Sequence, residues 1–272
     1  MNGPIGIFDS GYGGLTILSA IRRELPQYDY LYLGDNARTP YGTRSFDTVY
    51  KYTREAVRYL FDQGCSLVIL ACNTASAKAL RNIQQLDLPQ LAPDKRVLGV
   101  IRPTTEIIGD KTTSRQVGIL GTTGTVASAS YPVEINKFFP DVKVFQQACP
   151  MWVPLVENNE IENDGTEYFV KKSLNELLQQ SDNIDTILLA CTHYPLLLNT
   201  ICKLTPSGIS IITQGEIVAA SLANYLQRHP EMEEKCSKNG NVSFQTTDDK
   251  DKFDQASAIF LGDHIQSEQV KI

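Results

Sequence analysis

The feature that most constrains the fold is a strand-and-turn pattern that occurs twice in the chain. Ile5-Gly6-Ile7-Phe8-Asp9-Ser10-Gly11 is echoed by Val117-Gly118-Ile119-Leu120-Gly121-Thr122-Thr123-Gly124, an apolar strand ending in a hydroxyl- and glycine-containing turn. Leu67-Val68-Ile69-Leu70-Ala71-Cys72-Asn73-Thr74 is then echoed by Thr186-Ile187-Leu188-Leu189-Ala190-Cys191-Thr192-His193, with a cysteine directly after the apolar strand each time. The offsets are 112 residues from Gly6 to Gly118 and 119 residues from Cys72 to Cys191. Chance likeness of apolar strands accounts for either echo alone. Both together, in the same order, point to an internally duplicated unit of long period.

Short apolar, β-branched runs alternate with segments of helical period. Strands are predicted at 5–8, 30–33, 67–70 and 96–100, with helices at 14–24, 48–63 and after Asn73 between them. Such alternation specifies parallel α/β architecture with functional loops at the strand C-termini. The predicted fold is two pseudo-symmetric parallel-sheet α/β domains, with the active site in the cleft between them. Residues 1–98 and 208–272 form the first domain and 99–207 the second. A helix at 216–227 and a strand at 257–261 are expected in the tail that packs back on the first domain, and the charged, polar segment 231–254 is expected to be a solvated surface loop.

A chain of 272 residues has length enough for two modest cores, and its 42% hydrophobic and 21% charged residues are globular values. The net charge of -6 and the absence of a Lys/Arg cluster argue against a nucleic-acid partner. No basic leader followed by a long apolar stretch opens the sequence, and no long apolar run follows, so a cytoplasmic protein without a membrane partner is expected. Cys65, Cys72, Cys149, Cys191, Cys202 and Cys236 read as thiols rather than as a disulfide framework. His193, His229 and His264 fall into no metal-ligand spacing with them, which leaves structural zinc unsupported.

Cys72 and Cys191 each stand past a strand and before a helix, where unpaired N–H groups favour thiolate. If the two units face each other, both thiols flank one cleft. Inverting a stereocentre without a redox step needs a proton removed from one face and another delivered to the opposite face. A thiol, with an ordinary pKa of about 8.5, serves either role near neutrality. Buried strand-end packing is the alternative for each cysteine taken singly. It is less satisfactory for a duplicated cysteine followed by polar Asn73-Thr74 and Thr192-His193. Asp9 lies beside the Cys72 strand end if the two strands are neighbours, and can then relay a proton to Cys72, as His193 can to Cys191. A turn or N-cap aspartate and a structural histidine are equally open readings. The loop Gly34-Asp35-Asn36-Ala37-Arg38-Thr39-Pro40-Tyr41-Gly42 offers backbone N–H groups and a tyrosine hydroxyl to a carboxylate, or is a plain surface turn. Gly11-Tyr12-Gly13-Gly14 and Gly121-Thr122-Thr123-Gly124 match neither common nucleotide-binding glycine motif.

Taken together, Phe8-Asp9-Ser10-Gly11 with Gly13-Gly14-Leu15, Gly34-Asp35-Asn36 through Pro40-Tyr41-Gly42, Ala71-Cys72-Asn73-Thr74-Ala75, Gly121-Thr122 and Ala190-Cys191-Thr192-His193-Tyr194-Pro195 resemble the bacterial glutamate racemases. The motifs span most of the chain, and all five in this order are highly specific. The resemblance implies two α/β domains, no cofactor, a small-molecule substrate, and cytoplasmic production of D-glutamate for peptidoglycan, and it leaves room for a homodimer. It carries Cys72 and Cys191 over as the acid/base pair, assisted by Asp9 and His193. Asp9, Ser10, Tyr41, Gly42, Asn73, Thr74, Thr192 and His193 carry over as substrate contacts, and Glu157 in Pro154-Leu155-Val156-Glu157 as a further acidic residue near the second cysteine. One departure stands out: Gln214, in Thr213-Gln214-Gly215-Glu216, occupies the place of an expected aspartate. Two other readings remain at this point, a two-thiol racemase of aspartate or another small acid, and a ligand-binding regulator without turnover. Retention of both thiols weighs against the regulator, because binding alone requires neither.

Overall fold

The computed structural model describes residues 2–272. Its strands are β1 (Ile5–Asp9), β2 (Tyr30–Gly34), β3 (Leu67–Leu70), β4 (Arg96–Gly99), β5 (Gln116–Gly121), β6 (Lys143–Ala148), β7 (Thr186–Ala190), β8 (Ser210–Ile212), β9 (Val242–Thr246) and β10 (Ser267–Gln269). They form two sheets, ordered β10-β9-β2-β1-β3-β4 and β6-β5-β7-β8. Every strand pairing is parallel.

The duplication is visible in this order. β2-β1-β3-β4 and β6-β5-β7-β8 are the same arrangement, with the two echoed strands of each half side by side at the centre. β1, β3 and β7 are buried along their whole length. Central strands of a parallel sheet are covered on both faces, which is why these segments read as unbroken apolar runs rather than as alternating ones. Their C-terminal ends carry Asp9 and Cys72 in the first sheet and Thr122 and Cys191 in the second.

Helix α1 (Gly14–Glu24) buries Leu15, Leu18 and Ile21 with Ile17 on one face and places Arg22 and Arg23 in its last turn, where a positive charge complements the exposed carbonyls. Helix α2 (Phe46–Asp62) is capped by Ser45, whose Oγ accepts the Thr48 N–H at 3.2 Å. Helix α3 (Asn73–Lys78) starts directly after Cys72. In the tail, the helix Gly215–Arg228 packs along α1.

Three expectations for the tail are corrected. The segment 231–254 is no surface loop, because it contains β9, which pairs with β2 over Tyr30↔Val242 to Gly34↔Thr246. Only Val242 and Phe244 are apolar in this strand; Gln245 and Thr246 are buried by hydrogen bonding to Tyr59 and Asn36. Residues 257–261 are not a strand but the last turns of the helix Lys250–Leu261, which Asp249 caps and Gly262 ends with φ 74°. Phe253, Ser257 and Phe260, at helical spacing, form its buried face. Finally, β8 extends the second sheet to Ile212, past the expected boundary at 207.

Candidate functional site

The site forms where the C-terminal ends of the two sheets meet. β1 and β3 are neighbours with Phe8↔Leu70 in register, and Ala71 N–H donates to the Phe8 carbonyl at 2.8 Å. This pairing sets the residues that follow, Asp9-Ser10 and Cys72, side by side. Ser10 Oγ lies 3.4 Å from Cys72 Sγ, and the Ala75 N–H also donates to that sulfur at 3.4 Å. Cys72 is 7% exposed. Burial first, and then the neighbouring Asp9 charge, push its thiol up to about 12, opposite to the thiolate expected of a helix N-terminus, because burial outweighs the N–H groups there. Asp9 is 1% exposed. Its Oδ2 accepts the Gly11 N–H at 2.9 Å, while among the described residues Oδ1 has no hydrogen-bond partner. Burial raises the Asp9 pKa, against the opposing pull of His193.

The second thiol has different company. Cys191, 6% exposed, follows β7, and its Sγ is 3.9 Å from His193 Nδ1. The other ring nitrogen, Nε2, is 2.9 Å from Glu157 Oε1. Burial alone lowers a histidine pKa; here hydrogen bonding to Cys191 and Glu157 overrides it and lifts His193 to about 10. The ring thus stands between a sulfur and a carboxylate, and in its protonated form it can donate to both.

The two halves interlock through their own echoes. In the first half, Gly13 lies against Thr192 and His193 so closely that a Cβ there would sit 2.4 Å from Thr192 Oγ1 and 2.3 Å from His193 Nδ1. Thr16 Oγ1 donates to the Thr192 carbonyl at 3.0 Å. Reciprocally, Thr74 Oγ1 is 2.9 Å from Thr122 Oγ1, and the Gly124 N–H donates to the Gly42 carbonyl at 2.7 Å. The segment after each cysteine thus meets the glycine turn of the opposite half.

Of the residues singled out from sequence, Asp9, Ser10 and Cys72 gather on one side of this seam and Cys191, Thr192, His193 and Glu157 on the other, with Thr74 and Gly42 at the Thr122 turn. Two behave differently from simple contacts. The Tyr41 hydroxyl is engaged by Asp35 Oδ2 at 2.5 Å, and both side-chain amide atoms of Asn73 are committed to Tyr131 and Gln214. Gly13 and Thr122, quoted above only within motifs, were given no place in the site, and Thr16 was missed. Thr122 was detectable, since it occupies in the second echo the place of Ser10 in the first. Among the described residues, no three His, Cys, Asp or Glu side chains group as a metal site, and no helix is long and apolar enough to cross a membrane.

Residues 15–222 match the family model described as Asp/Glu/Hydantoin racemase. The chain belongs to the Asp/Glu/hydantoin racemase family. The resemblance read from the five motifs is thereby borne out. This racemase is 39% identical to a glutamate racemase of Ruegeria sp. (strain TM1040), over 97% of this chain and 98% of the relative. Its fold is similar to that of a crystal structure of glutamate racemase isoform RacE1 from Bacillus anthracis, with TM-score 0.89 and 34% identity, over 99% of this chain and 98% of that one. It is also similar to glutamate racemase from Francisella tularensis in complex with D-glutamate, with TM-score 0.87 and 30% identity, over 99% and 98% of the two chains. The comparisons thus agree on a racemase fold over nearly the whole chain.

Proposed function

We propose that this racemase interconverts L- and D-glutamate by a two-base mechanism, with Cys72 and Cys191 on opposite faces of the α-carbon, and supplies D-glutamate for peptidoglycan in the cytoplasm. The observation that carries the reading is that each buried cysteine ends a central strand beside its own proton-handling partner, Asp9 and Ser10 for Cys72, His193 and Glu157 for Cys191.

In one direction the Cys191 sulfur takes the α-proton, breaking the C–H bond and leaving a planar carbanion delocalised into the carboxylate. Cys72, which holds its proton, delivers it to the opposite face, and the configuration is inverted. In the other direction the roles exchange. His193, donating toward Cys191, stabilises that sulfur while it is anionic; Asp9, whose own protonation burial favours, does the same for Cys72 by hydrogen bond or proton relay. In its ionised form Asp9 offers the orphaned Oδ1 to the substrate's ammonium, and in its protonated form it serves Cys72. Ser10, Gly42, Thr74 and Thr192 line the seam with donors for its carboxylates, while Tyr41 and Asn73 shape the pocket from behind through their engaged side chains. No step requires a cofactor.

The decisive test incubates purified protein separately with L-glutamate and L-aspartate, without added cofactor, and follows optical rotation. Loss of rotation with glutamate and its persistence with aspartate are expected. Persistence with glutamate overturns the reading.

A further inference from the structure

The two stretches of chain that pass between the sheets are tied together by one side chain. The first runs from β4 through the helix Ile101–Thr105 to β5; the second runs from β8 through Thr213-Gln214 into the helix Gly215–Arg228. Gln214 is 2% exposed. Its Nε2 donates to the Val100 carbonyl at 3.0 Å and contacts Thr104 Oγ1 at 3.2 Å, both in the first crossing. The same nitrogen donates to the Tyr131 hydroxyl at 2.9 Å, Tyr131 donates to Asn73 Oδ1 at 2.6 Å, and Asn73 Nδ2 donates back to Gln214 Oε1 at 2.6 Å.

These last three bonds close a ring in which every donor has an acceptor. The direction around it is set from outside the ring, because the Val100 carbonyl needs the Gln214 amide nitrogen on its side, and with that end fixed, turning over Asn73 sets like against like. Only a side chain with one acceptor and one donor end completes the ring at position 214. An aspartate there is shorter and, when ionised, has nothing to donate to the Tyr131 oxygen or the Val100 carbonyl. Asn73 is the first residue of α3, and Cys72 is its N-cap. The ring therefore fixes the residue next to the thiol at the point where both crossings converge, using Tyr131 from the second half and Asn73 from the first.

We propose that Gln214 is a positioning residue for Cys72, holding the Asn73 amide, and through it the direction of the thiol, against the junction of the two halves. The inference rests on the reading of Cys72 as an acid/base group.

The test is a double-mutant cycle in the full chain, measuring kcat and KM for both glutamate enantiomers. Gln214→Leu opens the ring and is expected to lower kcat about tenfold or more, with KM changed less than about threefold, since sub-ångström to ångström misplacement of a reacting group acts on turnover. Asn73→Ala removes the group through which Gln214 acts, so the double variant is expected to be no slower than Asn73→Ala alone within about threefold. Losses that multiply show that Gln214 acts by another route and overturn the proposal. Should Gln214→Leu fail to fold, Gln214→Met, which keeps the side-chain length and loses both amide ends, opens the same ring. It must show the same kcat loss and the same lack of additivity with Asn73→Ala, and near-native kcat in Gln214→Met overturns the proposal. Near-native turnover in Cys72→Ser, by contrast, defeats the two-thiol reading itself whatever the cycle shows.

Discussion

Gly13 tests whether the seam between the halves sets the chemistry. Its backbone, at φ -57° and ψ -34°, is helical and open to any residue, so no conformational argument demands glycine there. Contact does. An alanine Cβ would lie 2.3 Å from His193 Nδ1, 2.6 Å from His193 Cε1 and 2.4 Å from Thr192 Oγ1, whereas non-bonded atoms settle at about 3.5–4.0 Å. Relief requires the imidazole to retreat by roughly 1 Å, but its Nε2 is held by Glu157 and its Nδ1 faces the Cys191 sulfur. Overpacking of this kind costs about 1–3 kcal/mol, which for a chain of this size lowers Tm by roughly 2–12 °C. Misplacement by 1 Å of a group assisting the reaction costs about 100-fold in turnover. Gly13→Ala should therefore lose about two orders of magnitude in kcat, measured by circular dichroism of D-glutamate formation at a temperature where the melt shows it fully folded. Gly64→Ala is the contrast. Gly64 has φ 91° with nothing within 4 Å of the added carbon, so it should cost about 1 kcal/mol of stability through backbone strain alone and leave kcat unchanged. A Gly13→Ala enzyme within threefold of wild type would refute the argument that this contact positions His193.

Glu157→Gln should move the alkaline limb of the kcat profile to lower pH. His193 is lifted to about 10 partly by Glu157, against an unfolded value of about 6.5. The proton on His193 thus contributes stability that is complete below about pH 6.5 and is lost as pH rises through the folded value. Without Glu157 that loss begins earlier, and pH profiles of kcat and Tm identical to wild type would show that the pair does not matter. Mixing inactive Cys72→Ala and Cys191→Ala proteins should restore nothing, because the proposed mechanism draws both thiols from one chain. Recovery of activity on verified subunit exchange would place the two thiols on different subunits.

The parts of the fold that were legible in the sequence are those whose burial is two-sided. Strands such as Ile5-Gly6-Ile7-Phe8 and Leu67-Val68-Ile69-Leu70 announce themselves because both faces of a central parallel strand are apolar. The outer part of the first sheet, beyond β2, was hidden for the opposite reason. β9 presents Val-Ser-Phe-Gln-Thr between charged flanks and is held partly by side-chain hydrogen bonds from distant residues. The helix Lys250–Leu261 was misread at its end because Ile259-Phe260-Leu261 is an apolar run, although Phe253, Ser257 and Phe260 already carried the helical period. Both cysteines stood out through duplication, whereas the adjacency of Asp9 to Cys72 depended on β1 and β3 being neighbours, which the sequence left open. Glu157 came only through family resemblance, because the contact that matters reaches across 36 residues to His193. Gln214 showed as a departure, but its ring joins three separate stretches of chain, with Val100 and Thr104 a fourth beside it, and could be seen only once they were folded together.

The central claim, that the thiol removing the α-proton is not the thiol that replaces it, is tested most directly by racemisation of L-glutamate in deuterated water, stopped within the first few per cent of reaction. The account predicts that D-glutamate formed in that interval carries solvent deuterium at the α-carbon in nearly every molecule, because its new hydrogen comes from the solvent-exchanged thiol on the opposite face. D-glutamate that keeps the substrate's own α-hydrogen would contradict it, since a retained hydrogen must have been carried from one face to the other by a single base.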